Sequence, residues 1–157
     1  MLVIDPGETC GYAVFQLEKN LVAEARPSDL VLFNTWEAQG ASIPEFVIPF
    51  LKILRDVKPS LVLIEDYRVY QSKAELHIGM PLRTPELIGA ILGVCALTVP
   101  VMNTARIAAA KKGRWPEARM KAKFPQAKNV TGHARDAVKL GLAFLELQGL
   151  WSPVKEE

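Results

Sequence analysis

The chain has 157 residues, of which 50% are hydrophobic, 23% are charged and 21 are Gly or Pro, proportions that fit one folded domain and exclude a disordered or collagen-like chain. Its formal net charge of +2 conceals a split: residues 105–140 hold ten Lys or Arg against two acids, a net +8, and the remainder holds nine against fifteen, a net −6. That asymmetry points to a segment that binds a polyanion, nucleic acid above all, carried on a more acidic fold.

Leu2-Val3-Ile4 is a short, branched apolar run that ends at Asp5-Pro6-Gly7, a turn signal, so a buried strand with Asp5 at its C-terminal end is expected. Residues 11–15 read as a second strand and residues 30–36 as a third, completing an antiparallel meander. Residues 43–57 place Phe46, Phe50, Leu51 and Leu54 at helical spacing, after Ser42 as cap and Pro44 in the first turn. Leu61-Val62-Leu63-Ile64 is unbroken and apolar and ends at Glu65-Asp66, the pattern of a strand buried on both faces as in a parallel pair. A short element is expected over 73–80, then a helix opening at Thr84-Pro85-Glu86. Gly89 and Gly93 lie four apart on that helix, where each costs about 1 kcal/mol relative to Ala, so another backbone is expected to pack closely there. Residues 99–102 read as a fifth strand, 105–112 and 116–124 as short helices parted by Gly113, and 132–147 as a last, amphipathic helix. Residues 151–157 read as a short tail.

No apolar run reaches the ~20 residues that span a bilayer, and no basic leader with a cleavage site precedes the first strand. Cys10 and Cys95 lie far apart without a C-x-x-C pattern, so reduced thiols, a cytoplasmic location and no membrane partner are expected.

Two apolar strands thus end in carboxylates, Asp5 and Glu65, and ligands of open α/β sheets bind at the C-terminal ends of parallel strands. His133 and Asp136 share one face of the last helix at i, i+3 spacing. Taken singly each has a plain explanation: Asp5 as a turn residue, Glu65-Asp66 as a polar strand end, and His133 with Asp136 as a helix's first turn. Together, oxygen and imidazole groups from two strands and a helix suit a hard divalent cation such as Mg²⁺ or Mn²⁺.

Ile4-Asp5-Pro6-Gly7 followed by Gly11-Tyr12, then Leu63-Ile64-Glu65, then His133-x-x-Asp136, resembles the RuvC-type Holliday junction resolvases of the RNase H-like superfamily in order and spacing, from Leu2 to about Phe144. The resemblance implies an α/β RNase H-like fold over residues 1–150, a five-stranded mixed sheet flanked by helices. It implies two Mg²⁺ or Mn²⁺ ions per site and no small-molecule cofactor, with Asp5 bridging the ions, Glu65 holding one, and Asp136 with His133 completing the ligation. Many members of that family carry an acid where His133 stands, and others carry histidine.

It further implies a homodimer that cuts two opposing strands of a four-way DNA junction and leaves 5′-phosphate ends, with the Gly89 and Gly93 helix at the dimer contact. Lys111, Lys112, Arg114, Lys121 and Lys123 would hold backbone phosphates. Tyr67 and Tyr70 fall where the family carries an aromatic that stacks at the junction centre, and both also suit simple packing in a loop. With the sequence ending soon after the last helix, action independent of a branch-migration motor, as in a phage or mobile-element resolvase, is expected. Two other readings stay open: a monomeric RNA-processing nuclease of the same superfamily and a non-catalytic nucleic-acid-binding module.

Overall fold

The structure is a computed structural model that describes residues 1–17, 30–40, 42–67, 83–98 and 103–151. Its centre is a five-stranded sheet in the order β3-β2-β1-β4-β5. The strands are β1 (Leu2–Asp5), β2 (Thr9–Leu17), β3 (Leu30–Gln39), β4 (Leu61–Asp66) and β5 (Asn103–Ala108). The helices are α1 (Ile43–Val57), α2 (Arg83–Thr98), α3 (Glu117–Lys123) and α4 (Gly132–Leu147), with a 3₁₀ turn over Ala109–Arg114. β1, β2 and β3 form the expected antiparallel meander, while β4 runs parallel to both β1 and β5. The fold class implied by the resemblance, a mixed five-stranded sheet between helices, is the one observed.

Strand alternation divides the interior in two. Leu2, Ile4, Tyr12, Val14, Val62 and Ile64 face α1 and α2, where Phe46, Phe50, Leu54, Leu87, Ile88 and Ile91 cover them. Val3, Ala13, Phe15, Leu63 and Ile107 face α4, where Ala137, Val138, Leu140 and a cluster of Trp115, Phe124 and Trp151 close the second core. All four residues of β1 are buried, as expected for a central strand with both faces covered. Because Asp5 follows Val3 by two and Glu65 follows Leu63 by two, the same period sends both carboxylates toward α4.

The fifth strand differs from the sequence expectation. Residues 99–102 lie outside the described residues, and the strand lies at Asn103–Ala108, where a helix is expected to begin. The stretch Arg106-Ile107-Ala108-Ala109-Ala110-Lys111 has good helix formers, but propensity is a weak prior, and pairing with β4 from Leu61↔Asn103 to Asp66↔Ala108 outweighs it. α3 and α4 lie where expected, and Pro49 sits inside an α1 that continues past it. The element expected over 73–80 lies outside the described residues. At Gly89 and Gly93 an added Cβ would meet nothing within 4 Å, so among the described residues no backbone packs on that face of α2. Both cysteines are buried and unpaired, and burial pushes their thiols up to about 12 for Cys10 and about 11 for Cys95, which leaves them unreactive. Among the described residues, no helix is long and apolar enough to cross a membrane.

Candidate active site

β1 and β4 are adjacent and parallel, paired through Ile4↔Ile64, so the next residues, Asp5 and Glu65, end side by side. Asp5 is 4% exposed, the only buried charged side chain among the described residues. Its Oδ2 lies 3.0 Å from Nδ1 of His133 and its Oδ1 accepts a 2.8 Å hydrogen bond from Nζ of Lys112. The same ammonium lies 2.6 Å from Oε2 of Glu65 and 3.5 Å from Oδ2 of Asp136. Nζ of Lys139 donates to the other oxygen of Asp136 at 3.0 Å. Asp5, Glu65, His133 and Asp136 are therefore brought together, with Lys112 among them.

Two features seat the first turn of α4 against the sheet. Gly11 on β2 is the Cα partner of Asp5, and a Cβ there would lie 2.1 Å from the carbonyl oxygen of His133, so only glycine lets the helix come this near. Thr131, the N-cap, makes no side-chain cap; instead the backbone N–H of Ala134 donates to Oε1 of Glu37, on β3, at 3.0 Å. Gly132 adopts φ +59°, in the left-handed region, and any side chain on it would strike the Glu37 carboxylate. Sequence reasoning missed Glu37 and Lys139. An acid on an outer strand carries no signal of the helix it will cap.

The close grouping moves the proton affinities apart. Burial alone would raise Asp5, but hydrogen bonds from Glu65 and Lys112 outweigh it and hold Asp5 below the usual carboxylate range. Glu65 is pushed up to about 8, by burial first and then by its neighbour Asp5. Lys112 would be lowered by burial, yet the hydrogen bonds and charges of Asp5 and Glu65 carry it above its ordinary value. Because Glu65 in the folded state holds its proton more tightly than the ordinary value of 4.5, its stabilising contribution is complete below that value and is lost as pH rises through about 8. The melting midpoint of the metal-free protein is therefore expected to fall between about pH 5 and about pH 8 and to level off above, and Glu65→Gln to flatten that fall. Parallel slopes for wild type and variant in a thermal-melt series would contradict the assignment.

Among the described residues, no three His, Cys, Asp or Glu side chains close on one point as metal ligands. The donor set nonetheless fits a hard cation: oxygens of Asp5, Glu65 and Asp136 surround a single positive charge, the Lys112 ammonium, at 2.8, 2.6 and 3.5 Å.

The residues expected to contact DNA differ in setting. Lys111 is exposed on the 3₁₀ turn, and Lys123 is half-buried. Lys121 is exposed but paired with Glu117 at 2.6 Å, and Arg114 lies 3.5 Å from Glu146. Lys112 is turned inward, 22% exposed. The basic segment is fixed from beneath: Glu146 on α4 accepts hydrogen bonds from Nε1 of Trp115 at 3.2 Å and from Arg119 at 2.7 Å, and the Arg119 guanidinium stacks 4.2 Å from the Trp115 ring. Tyr67 is half-buried and packs against the α1 and α2 core. Tyr70 lies outside the described residues.

No family model matches the chain, and no curated protein does. Solved structures do. Thermus thermophilus RuvC in complex with Holliday junction substrate aligns with a TM-score of 0.68 and 16% identity over 98% of each chain. The yeast mitochondrial Holliday junction resolvase Ydc2 aligns at 0.65 and 11% identity over 94% of this chain and 78% of its own. A Fowlpox virus resolvase bound to substrate Holliday junction DNA aligns at 0.58 and 13% identity, over 94% and 99%. The chain has the RNase H-like fold of the RuvC-type Holliday junction resolvases.

Proposed function

We propose that this chain is a divalent-metal-dependent endonuclease that resolves four-way DNA junctions, acting as a homodimer and leaving 5′-phosphate ends. The observation that carries the reading is the convergence of Asp5, Glu65 and Asp136, with His133, at the C-terminal ends of the central parallel strands. The fold, shared with resolvases solved on junction DNA, supports it.

Mg²⁺ or Mn²⁺, two ions per site, supplies water activation and stabilisation of the leaving 3′-oxygen when bound. Asp5, between Glu65 and His133, would serve both ions, Glu65 would hold one, and Asp136 with His133 would complete the ligation of the second. The half-exposed His133 ring orients Asp5 through its 3.0 Å contact. Burial of Asp5, with Glu65 only 16% exposed beside it, limits the access of bulk water to the carboxylates and strengthens their hold on a cation. Lys111, Arg114, Lys121 and Lys123 grip backbone phosphates, which sets affinity but little sequence choice. Tyr67 and Tyr70 follow Glu65 closely in the chain and are proposed to meet the unpaired bases at the junction centre.

Two active sites are needed to cut opposing strands, and α2 offers a face for pairing. Gly89, Gly93 and Leu97 lie exposed on it, Leu97 at 90%. A second copy seated there brings small residues of both helices together in an isologous contact.

Binding to an immobile junction is expected to weaken steeply with salt, with a log–log slope of about −0.9 for each phosphate neutralised. Changing Lys111 and Lys121 together to Gln should make that slope shallower by about 2 on the same scale; an unchanged slope in fluorescence anisotropy titrations places the DNA elsewhere. The reading as a whole is tested by cleavage of a four-way junction beside linear duplex, single-stranded DNA and RNA, with and without divalent metal. A monomer that prefers single-stranded RNA would favour the RNA-processing alternative, and metal-independent binding without cleavage would favour a binding module.

A further inference from the structure

Lys112 points inward, onto the acid cluster. Its ammonium sits at the one point shared by Asp5 and Glu65, at 2.8 and 2.6 Å, with Asp136 at 3.5 Å, whereas its neighbour Lys111 is exposed. The backbone beneath it is fixed on both sides. β5 ends at Ala108 in register with Asp66 of β4, and Trp115, three residues beyond Lys112, is fully buried against Trp151. The ammonium alone is free to move, at the end of a flexible four-carbon stem.

Carboxyl groups this close repel one another when ionised unless a cation lies between them. An ammonium at 2.6 to 2.8 Å from two of them supplies that charge and occupies the space a divalent ion would need. Resting on the reading of this site as a divalent-metal centre, we propose that Lys112 is a built-in cation that holds the carboxylates together in the metal-free protein, and that a divalent ion loads by displacing its ammonium. The backbone need not move: the stem swings outward and the oxygens of Asp5, Glu65 and Asp136 close on the ion. Metal affinity is thereby set lower than the carboxylates alone would give, because each loading event first breaks the contacts of Lys112.

Calorimetric titration of Mn²⁺ into the protein without DNA tests this. Lys112→Met should bind Mn²⁺ about tenfold more tightly than wild type, the size expected on removing a competing hydrogen bond to a charged group. Lys128→Met, an exposed lysine away from the carboxylates, should leave the affinity within about twofold. Equal or weaker binding by Lys112→Met overturns the proposal. Since that variant leaves the carboxylates without a counter-ion and its folding suffers if nothing replaces it, the wild type provides the second measurement. Reductive methylation followed by peptide mass spectrometry should show Lys112 shielded in metal-free protein and labelled several-fold faster with Mg²⁺, while Lys111 is labelled equally in both. Unchanged labelling of Lys112 overturns the proposal with no variant involved. If the wild type binds Mn²⁺ and neither experiment shows an effect at Lys112, only this proposal fails; if neither wild type nor variant binds Mn²⁺, the metal-centre reading fails with it.

Discussion

Asp5→Asn is expected to bind a four-way junction as tightly as wild type and to cleave it more than 100-fold more slowly. Asn has the shape of Asp, so the end of β1 and the contact with β2 are retained. What is lost is the charge at the most buried acid of the cluster, which faces both Lys112 and His133. Loss of an outer partner of a metal ligand already costs about 10–100-fold in affinity or activity, and replacing a direct ligand costs more. The basic residues proposed to hold phosphate are not touched by the change. Single-turnover cleavage beside gel-shift affinity separates the two effects. Cleavage per bound complex equal to wild type would remove Asp5 from the chemistry.

Gly11→Ala has the second large effect, on stability as well as on cleavage. The new Cβ would lie 2.1 Å from the carbonyl oxygen of His133, 2.2 Å from its carbonyl carbon and 2.6 Å from the nitrogen of Ala134. All three are backbone atoms, so no rotamer change relieves the clash and the first turn of α4 must lift. Forcing a methyl group into a packed interior costs about 1–3 kcal/mol, occasionally more, and backbone contacts place this site at the upper end. The same lift carries His133 and Asp136 away from Asp5. Gly113→Ala is the control, since a Cβ there meets nothing within 4 Å. Urea midpoints are expected to drop for Gly11→Ala and to stay near wild type for Gly113→Ala; equal midpoints would mean that α4 adjusts freely.

The parts of the fold legible in the sequence are those where one physical signal dominates. β1 and β4 are apolar on both faces, so their unbroken runs mark them as central strands, and the acids closing them mark the edge of the site. α1 and α4 carry apolar stripes at helical spacing. β5 is harder because it is an edge strand: only Ile107 is buried, and its sequence favours helix until β4 is there to pair with it. Of the side chains that lie together, Asp5, Glu65, His133 and Asp136 are legible from strand ends and helix spacing. The inward turn of Lys112 is not, because a run of lysines looks the same whether each faces phosphate or one faces three carboxylates. That distinction depends on where the 3₁₀ turn folds back over the strand ends, which Trp115 and Glu146 decide through packing with α4. Glu37 was invisible for a similar reason, its partner lying 97 residues away in the chain.

Paired cleavage at a junction is tested most directly on an end-labelled immobile four-way junction. With Mg²⁺ or Mn²⁺ the wild type should nick two opposing strands at symmetric positions, giving linear duplexes whose 5′-phosphate ends can be religated, while linear duplex, single-stranded DNA and RNA stay intact. Absence of divalent-dependent cleavage of the junction, or cleavage of single-stranded RNA in preference to it, would contradict the account.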